Sequence, residues 1–247
     1  MKLLYLIIII LSAFSVSLPQ NQGEKIIVTE DIELIKLTEN VYVHVSYYEL
    51  EPYGRFPSNG MIYINDQEAY LFDTPMTEEL TMKLVSFIHD SLKIKINGFV
   101  PNHSHDDCTA GMKYLNDIGV VSRANVMTTN ILNEKNLPLP QISFQDSQII
   151  DFGGVKIFCK YMGNGHTSDN IIVWLPSENV LFGGCMVKGI NSKGLGNIAD
   201  ADLEQWPETI KKVMNEFPDA KYVIPGHGKV GGTELLTHTF ELLTNKK

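Results

Sequence analysis

The chain is short of cysteine, of positive charge and of long apolar runs, and each shortage narrows what it can be. Its 247 residues include three cysteines, Cys108, Cys159 and Cys185. Three are too few for a disulfide framework, and an odd number cannot all pair within one chain. At least one is therefore free, buried or bound to something. Lysine and arginine number 20 against 29 acidic residues, a formal net charge of −9, which argues against nucleic acid or an anionic membrane surface as partner. The apolar run Leu3–Leu11 is too short to span a membrane. It follows the basic start Met1-Lys2 and precedes Ser15-Val16-Ser17, a small-x-small cleavage pattern. We read residues 1–17 as a secretory signal peptide and residues 18–247 as a single domain. No cysteine follows the run, so a lipid-attached amino terminus is not expected.

Histidine is also scarce, at seven residues, yet two fall in the six-residue stretch His103-Ser104-His105-Asp106-Asp107-Cys108. Imidazole, carboxylate and thiol are all zinc ligands. In an extended segment or tight turn, residues two apart can point the same way. His103 and His105 can then grip one metal while Asp107 reaches towards a neighbouring one.

The rest of the chain alternates strands with helices. Val41, Val43 and Val45 alternate with Tyr42, His44 and Ser46 in strand periodicity. Tyr47 to Gly60 reads as a long aromatic loop, of a kind that is often functional. Thr77 is placed to cap a helix running through His89, and Ile94 to Val100 is a strand that delivers the chain to His103. Ser122 is placed to cap a further helix towards Asn133. Cys159 is in phase with Val155, Ile157 and Tyr161, which makes it a buried strand thiol. Asp202 with Gln205 forms a capping box for a helix ending at Pro218, and Thr233 is placed to cap the last helix.

Three more donor segments lie beside strands. His166 stands in the polar turn Gly163–Asn170, directly before an apolar strand. Gly183-Gly184-Cys185 closes another strand, and Pro225-Gly226-His227 closes a third. Strands aligned in a sheet can bring all four segments to one edge, and the neighbouring glycines permit close backbone approach. Helices around the sheets imply an α/β layered fold.

Taken in order, His103-Ser-His105-Asp-Asp107, Gly165-His166-Thr167, Gly183-Gly184-Cys185 with Lys188, Gly196-Asn197 and Gly226-His227 closely resemble the metallo-β-lactamases of subclass B1. The resemblance covers essentially the whole chain after the leader. It implies a four-layer αββα sandwich with two zinc ions at one edge. His103, His105 and His166 match the ligands of the first ion, and Asp107, Cys185 and His227 those of the second. It further implies hydrolysis of the β-lactam amide of penicillins, cephalosporins and carbapenems by a metal-bound hydroxide, without a covalent acyl-enzyme. Asp107 and Asn197 would take part in catalysis. Lys188 would bind the substrate carboxylate, Asn197 the carbonyl oxygen, and Tyr53 and Phe56 the apolar side groups. A periplasmic monomer is expected. Cys108 and Asp73 are read as supporting residues rather than ligands. Related hydrolases of thioesters and phosphodiesters usually carry histidine directly after the motif's aspartate, where this chain has Cys108. The competing expectation is a zinc hydrolase of the same fold acting on another ester, thioester or lactone.

Overall fold

A computed structural model describes residues 23–51 and 54–245. The leader and Tyr53 lie outside the described residues. The described residues open with five antiparallel strands: β1 (Lys25–Thr29), β2 (Ile32–Lys36), β3 (Val41–Leu50), β4 (Gly54–Asn65) and β5 (Glu68–Phe72). Helix α1 (Glu78–Asp90) then carries the chain across to β6 (Lys95–Val100), which lies parallel to β5. The short helices α2 (Asp106–Thr109) and α3 (Met112–Asp117) follow, then β7 (Val121–Asn125), α4 (Val126–Glu134) and β8 (Ile142–Phe144). All eight strands form one sheet in chain order. A second sheet of five runs β13-β12-β11-β10-β9. Its strands are β9 (Ser147–Phe152), β10 (Val155–Tyr161), β11 (Ile171–Leu175), β12 (Val180–Gly184) and β13 (Tyr222–Pro225). Helix α5 (Trp206–Glu216) precedes β13 and α6 (Glu234–Thr244) ends the described chain.

Side-chain alternation sorts the residues into three apolar layers, because successive strand positions face opposite sides of a sheet. Met61, Tyr63 and Phe72 face Ile171, Val173 and Phe182 between the sheets. Their neighbours Ile62 and Leu71 pack outward on Leu84 and Ile88 of α1. On the far side, Ile172 and Leu181 pack on Trp206, Ile210 and Val213 of α5. Each fully buried large side chain stabilises the fold by about 1.5–3 kcal/mol. The order helix, sheet, sheet, helix is the αββα sandwich that the motifs imply.

Four local expectations need correction. Tyr47 to Gly60 is a hairpin rather than a loop, with β3 and β4 paired up to Leu50 and Gly54. Ser122 caps no helix. It lies in β7, held between β6 and β8, and its hydroxyl donates to Asn116 Oδ1 at 2.6 Å; Asn125 caps α4 instead. Cross-strand pairing outweighs the local capping preference there. The capping box at Asp202 does not close. The Asp202 N–H donates to Gly165 O at 3.0 Å, while its Oδ1 accepts from Gln205 N at 2.9 Å. The donor that Gln205 would have satisfied is already used, and α5 starts at Trp206. Thr233 stands at the start of α6 without a side-chain cap bond. Thr77 does cap α1, accepting from Leu80 N at 3.2 Å.

Candidate metal centre

The donor segments meet at one edge of the sandwich, where strands of both sheets end. Asn102, just past β6, joins the sheets there. Its carbonyl accepts from Ile171 N at 2.9 Å, and its side-chain amide donates to Ile171 O. The Asn102 N–H donates to the buried carboxylate of Asp73, which holds a left-handed φ of 59° directly after β5. Asp73 is thus the scaffold acceptor that the sequence suggests. Burial pushes its carboxyl well above the usual range, and the Asn102 N–H opposes that shift.

Beyond this brace, the rings of His103, His105 and His166 form a triangle with centroids 4.6, 5.0 and 5.2 Å apart. The other three donors also gather. Cys185 Sγ lies 3.3 Å from Asp107 Oδ2 and 3.3 Å from His227 Nε2, and His227 Nε2 lies 3.4 Å from Asp107 Oδ2. Donor atoms of Asp107, Cys185 and His227 form one group able to hold a metal; those of His103, His166 and Cys185 form another. Two glycines make this approach possible. Gly184 has a φ of 55°, and a Cβ there would meet Asn102 at 2.3 Å. A Cβ on Gly226 would stand 2.4 Å from Cys185 Sγ.

Three of the imidazoles have one nitrogen fixed by a partner. His103 Nδ1 lies 3.1 Å from Cys108 Sγ, and its Nε2 is buried without a hydrogen-bond partner. His105 Nε2 lies 2.8 Å from Asp200 Oδ2. His227 Nδ1 donates to Pro57 O at 2.8 Å, leaving Nε2 at the thiol. Such outer contacts fix the tautomer and aim the other nitrogen at a metal. Burial pushes His103, His166 and His227 below the usual histidine range, so they stay neutral, as ligation requires. Burial pushes the Cys185 thiol up, and the Asp107 charge adds to it. Without a cation the thiol keeps its proton. The orphaned His103 Nε2 and the mixed imidazole, carboxylate and thiol set fit zinc.

Cys108 is buried beside the candidate donors, touching His103 and, at 3.9 Å, Asp107 Oδ1; its thiol joins His103 and Asp107 in a third potential donor group. Lys188 is buried, with Nζ 5.1 Å from the centre of the Trp206 ring, and burial pushes its pKa down. Phe56, on β4, packs on the His227 ring with centroids 4.7 Å apart. Asn197 lies on an exposed turn, where its Oδ1 accepts from Ala199 N at 3.1 Å. Cys159 is fully buried away from these groups, and burial pushes its thiol up to about 12. His89 is exposed at the end of α1, and His238 bonds Ser192 O at 2.9 Å. Sequence reasoning missed Asp200, Pro57 and Asn59. Asn59 Nδ2 donates at 2.8 Å to both Pro225 O and Gly228 O, on either side of His227. Nothing in the local sequence marks Pro57 and Asn59, because they act across the sandwich. Asp200 stands three residues after Asn197, and that proximity was the available signal.

Comparison with known proteins places this geometry in a family. No protein-family model matches the chain. The metallo-β-lactamase type 2 of Bacteroides fragilis is 46% identical over 243 residues, 98% of this chain and 96% of that protein. The metallo-β-lactamase type 2 of Bacillus cereus is 35% identical over 217 residues, 87% of this chain and 84% of that one. Among solved structures, a metallo-β-lactamase from Pontibacter korlensis superimposes with a TM-score of 0.84 at 37% identity, over 87% of this chain and 100% of its own. The chain belongs to the metallo-β-lactamase family, and its donors follow the order of the B1 type.

Proposed function

We propose that the protein hydrolyses the amide bond of β-lactams at a centre holding two zinc ions. Its relatives carry that activity in their name. The observation that carries the reading is the convergence of six donors in two groups of unlike charge. His103, His105 and His166 would hold one ion with neutral donors. Asp107, Cys185 and His227 would hold the other with two anionic ones. When bound, zinc supplies Lewis acidity towards a carbonyl oxygen and towards water, whose pKa it lowers to about 7.

The chain's own groups then have defined tasks. Lys188 presents its ammonium to the substrate carboxylate, a local cation in an acidic protein. Asn197 donates from its amide to the lactam carbonyl oxygen, at a position where developing charge needs a donor. Asp107 would serve first as a metal donor, and its carboxylate would also be placed to help handle a proton. Phe56, with Tyr53 beside it in sequence, offers apolar contact to substrate side groups. No side-chain nucleophile and no acyl-enzyme enter this scheme. Residues 1–17 direct export to the periplasm, and the mature chain works as a monomer on a small-molecule substrate.

The test is hydrolysis of a carbapenem and a penicillin by the purified mature chain, with and without a chelator. Turnover that chelation abolishes and zinc restores is expected, with about two zinc ions per chain by elemental analysis. Absence of turnover on both substrates in zinc-replete protein would sink the reading and make esters, thioesters and lactones the next panel. Amino-terminal sequencing of the exported protein should begin after Ser17.

A further inference from the structure

The two sheets are unequal, and the mismatch leaves a cavity. Strands β12 and β13 both lie over β4, and β13 ends the smaller sheet. Beside β13, residues of β2 and β3 share one lining with Tyr222 and with the cover formed by Gly228, Lys229 and Val230. Beneath that cover is a cavity of about 370 Å³ that no metal donor lines. Its walls are aliphatic and aromatic, with Ile35, Leu37, Val43, Val45, Tyr47 and Val230 among them. The volume falls in the range of ligand pockets, about 300–1,000 Å³.

The cavity lining also carries charged groups. Lys25, Glu33 and Lys229 line it. Lys25 pairs with Glu33, and Tyr47 donates to the same carboxylate at 3.4 Å. Lys229 is exposed and has no ion pair among the described residues. Among the lining residues two lysines stand against one glutamate, in a chain whose total is −9.

We propose that this cavity binds a single-chain carboxylate amphiphile, a free fatty acid, with its alkyl chain between the sheets and its carboxylate on Lys229. Aliphatic walls gain dispersion contacts from a flexible chain. A compact cationic ammonium at the mouth selects an anionic head. The inner wall gives the site a route to the metal edge. Pro57 and Asn59 line the cavity; Pro57 O accepts from His227, and Asn59 grips the backbone on both sides of that histidine. The binding claim does not depend on metal or on catalysis.

The experiment is titration of the full mature chain with sodium decanoate below its micellar concentration, followed by amide resonances and by calorimetry. Saturable one-to-one binding is expected, with shifts at Ile35, Val43, Val45, Asn59 and Gly228. Lys229→Glu should weaken it at least tenfold, and decyltrimethylammonium should bind at least tenfold more weakly than decanoate. Leu37→Trp, which fills the cavity, should abolish binding; if that variant does not fold, Lys229→Glu alone decides. Absence of saturable binding, an affinity unchanged by Lys229→Glu, or shifts that bypass Asn59 and Gly228 would each overturn the assignment.

Discussion

The two halves of the metal centre are built differently. Asp107, Cys185 and His227 touch one another, and main-chain groups secure them: Gly226 N donates to Gly184 O at 2.7 Å, and Pro57 O holds His227 at 2.8 Å. His103 and His105 instead rely on side chains, the Cys108 thiol and the Asp200 carboxylate. Asp200 is 58% exposed on a loop, whereas Cys185 is 2% exposed at a strand end. The thiol half is as firm as the sheet that carries it, and the imidazole half is as firm as its neighbouring side chains.

The sharpest way to break the comparison is to delete the thiol. Cys185→Ala should cut kcat/KM by more than the roughly 100-fold that losing an outer partner costs, and zinc content should fall from the proposed two per chain towards one. Full metal content in that variant would contradict the division into halves.

An imidazole outside both halves supplies a control. His44 is fully buried, with Nε2 3.1 Å from Asp73 O, and burial pushes its pKa from 6.5 to about 4. The unfolded chain takes up this proton below pH 6.5 and the folded chain does not, so its contribution is whole above pH 6.5 and lost as pH falls towards 4. The loss amounts to about 3 kcal/mol. Denaturant unfolding between pH 7 and 4 should show that slope in metal-free protein, flattened in His44→Gln. An identical slope in the variant would assign the effect elsewhere.

Smaller effects should separate the halves further. Asp200→Ala should weaken zinc binding by about 10–100-fold, mostly restored in Asp200→Asn, as competition with a chromophoric chelator can measure. Because His105 belongs to the imidazole half, the first equivalent of zinc should suffer more than the second. The smallest change is expected for Asn197→Ala. A fixed oxyanion donor is worth about 10²–10³ in kcat. Asn197 sits on an exposed turn, so steady-state kinetics should show a drop below about tenfold. A thousandfold drop would mean that the turn is fixed during turnover.

The six candidate donors, which the fold brings to one edge, could be picked out in the sequence because each stands in or beside a polar turn or glycine pair at a strand boundary, where a change of pattern is visible. Most strands were legible from alternation, and the layers followed. What was not legible is what depends on distant pairing. The Tyr47–Gly60 stretch is full of residues suited to turns, yet ladder bonds between β3 and β4 make it a hairpin. Ser122 has the chemistry of a cap, but parallel neighbours claim it for a strand. Asp202 met a competing acceptor, Gly165 O, from a turn 37 positions earlier. The brackets around His227 cross more than 160 positions, from Pro57 and Asn59. No short window holds both ends of such bonds.

The placement of His227 directly after β13 also sets an order of events. Four donors precede β12 in the chain and Cys185 directly follows it, but the sixth arrives only when the last strand docks beside β12. Ring closure over so long a span is slow in folding. In the proposed two-zinc reading, the Asp107, Cys185 and His227 site is complete only after that docking. Uptake of the second zinc equivalent in a stopped-flow refolding experiment should therefore keep time with the final folding phase, making the metal a clock for completion of the chain.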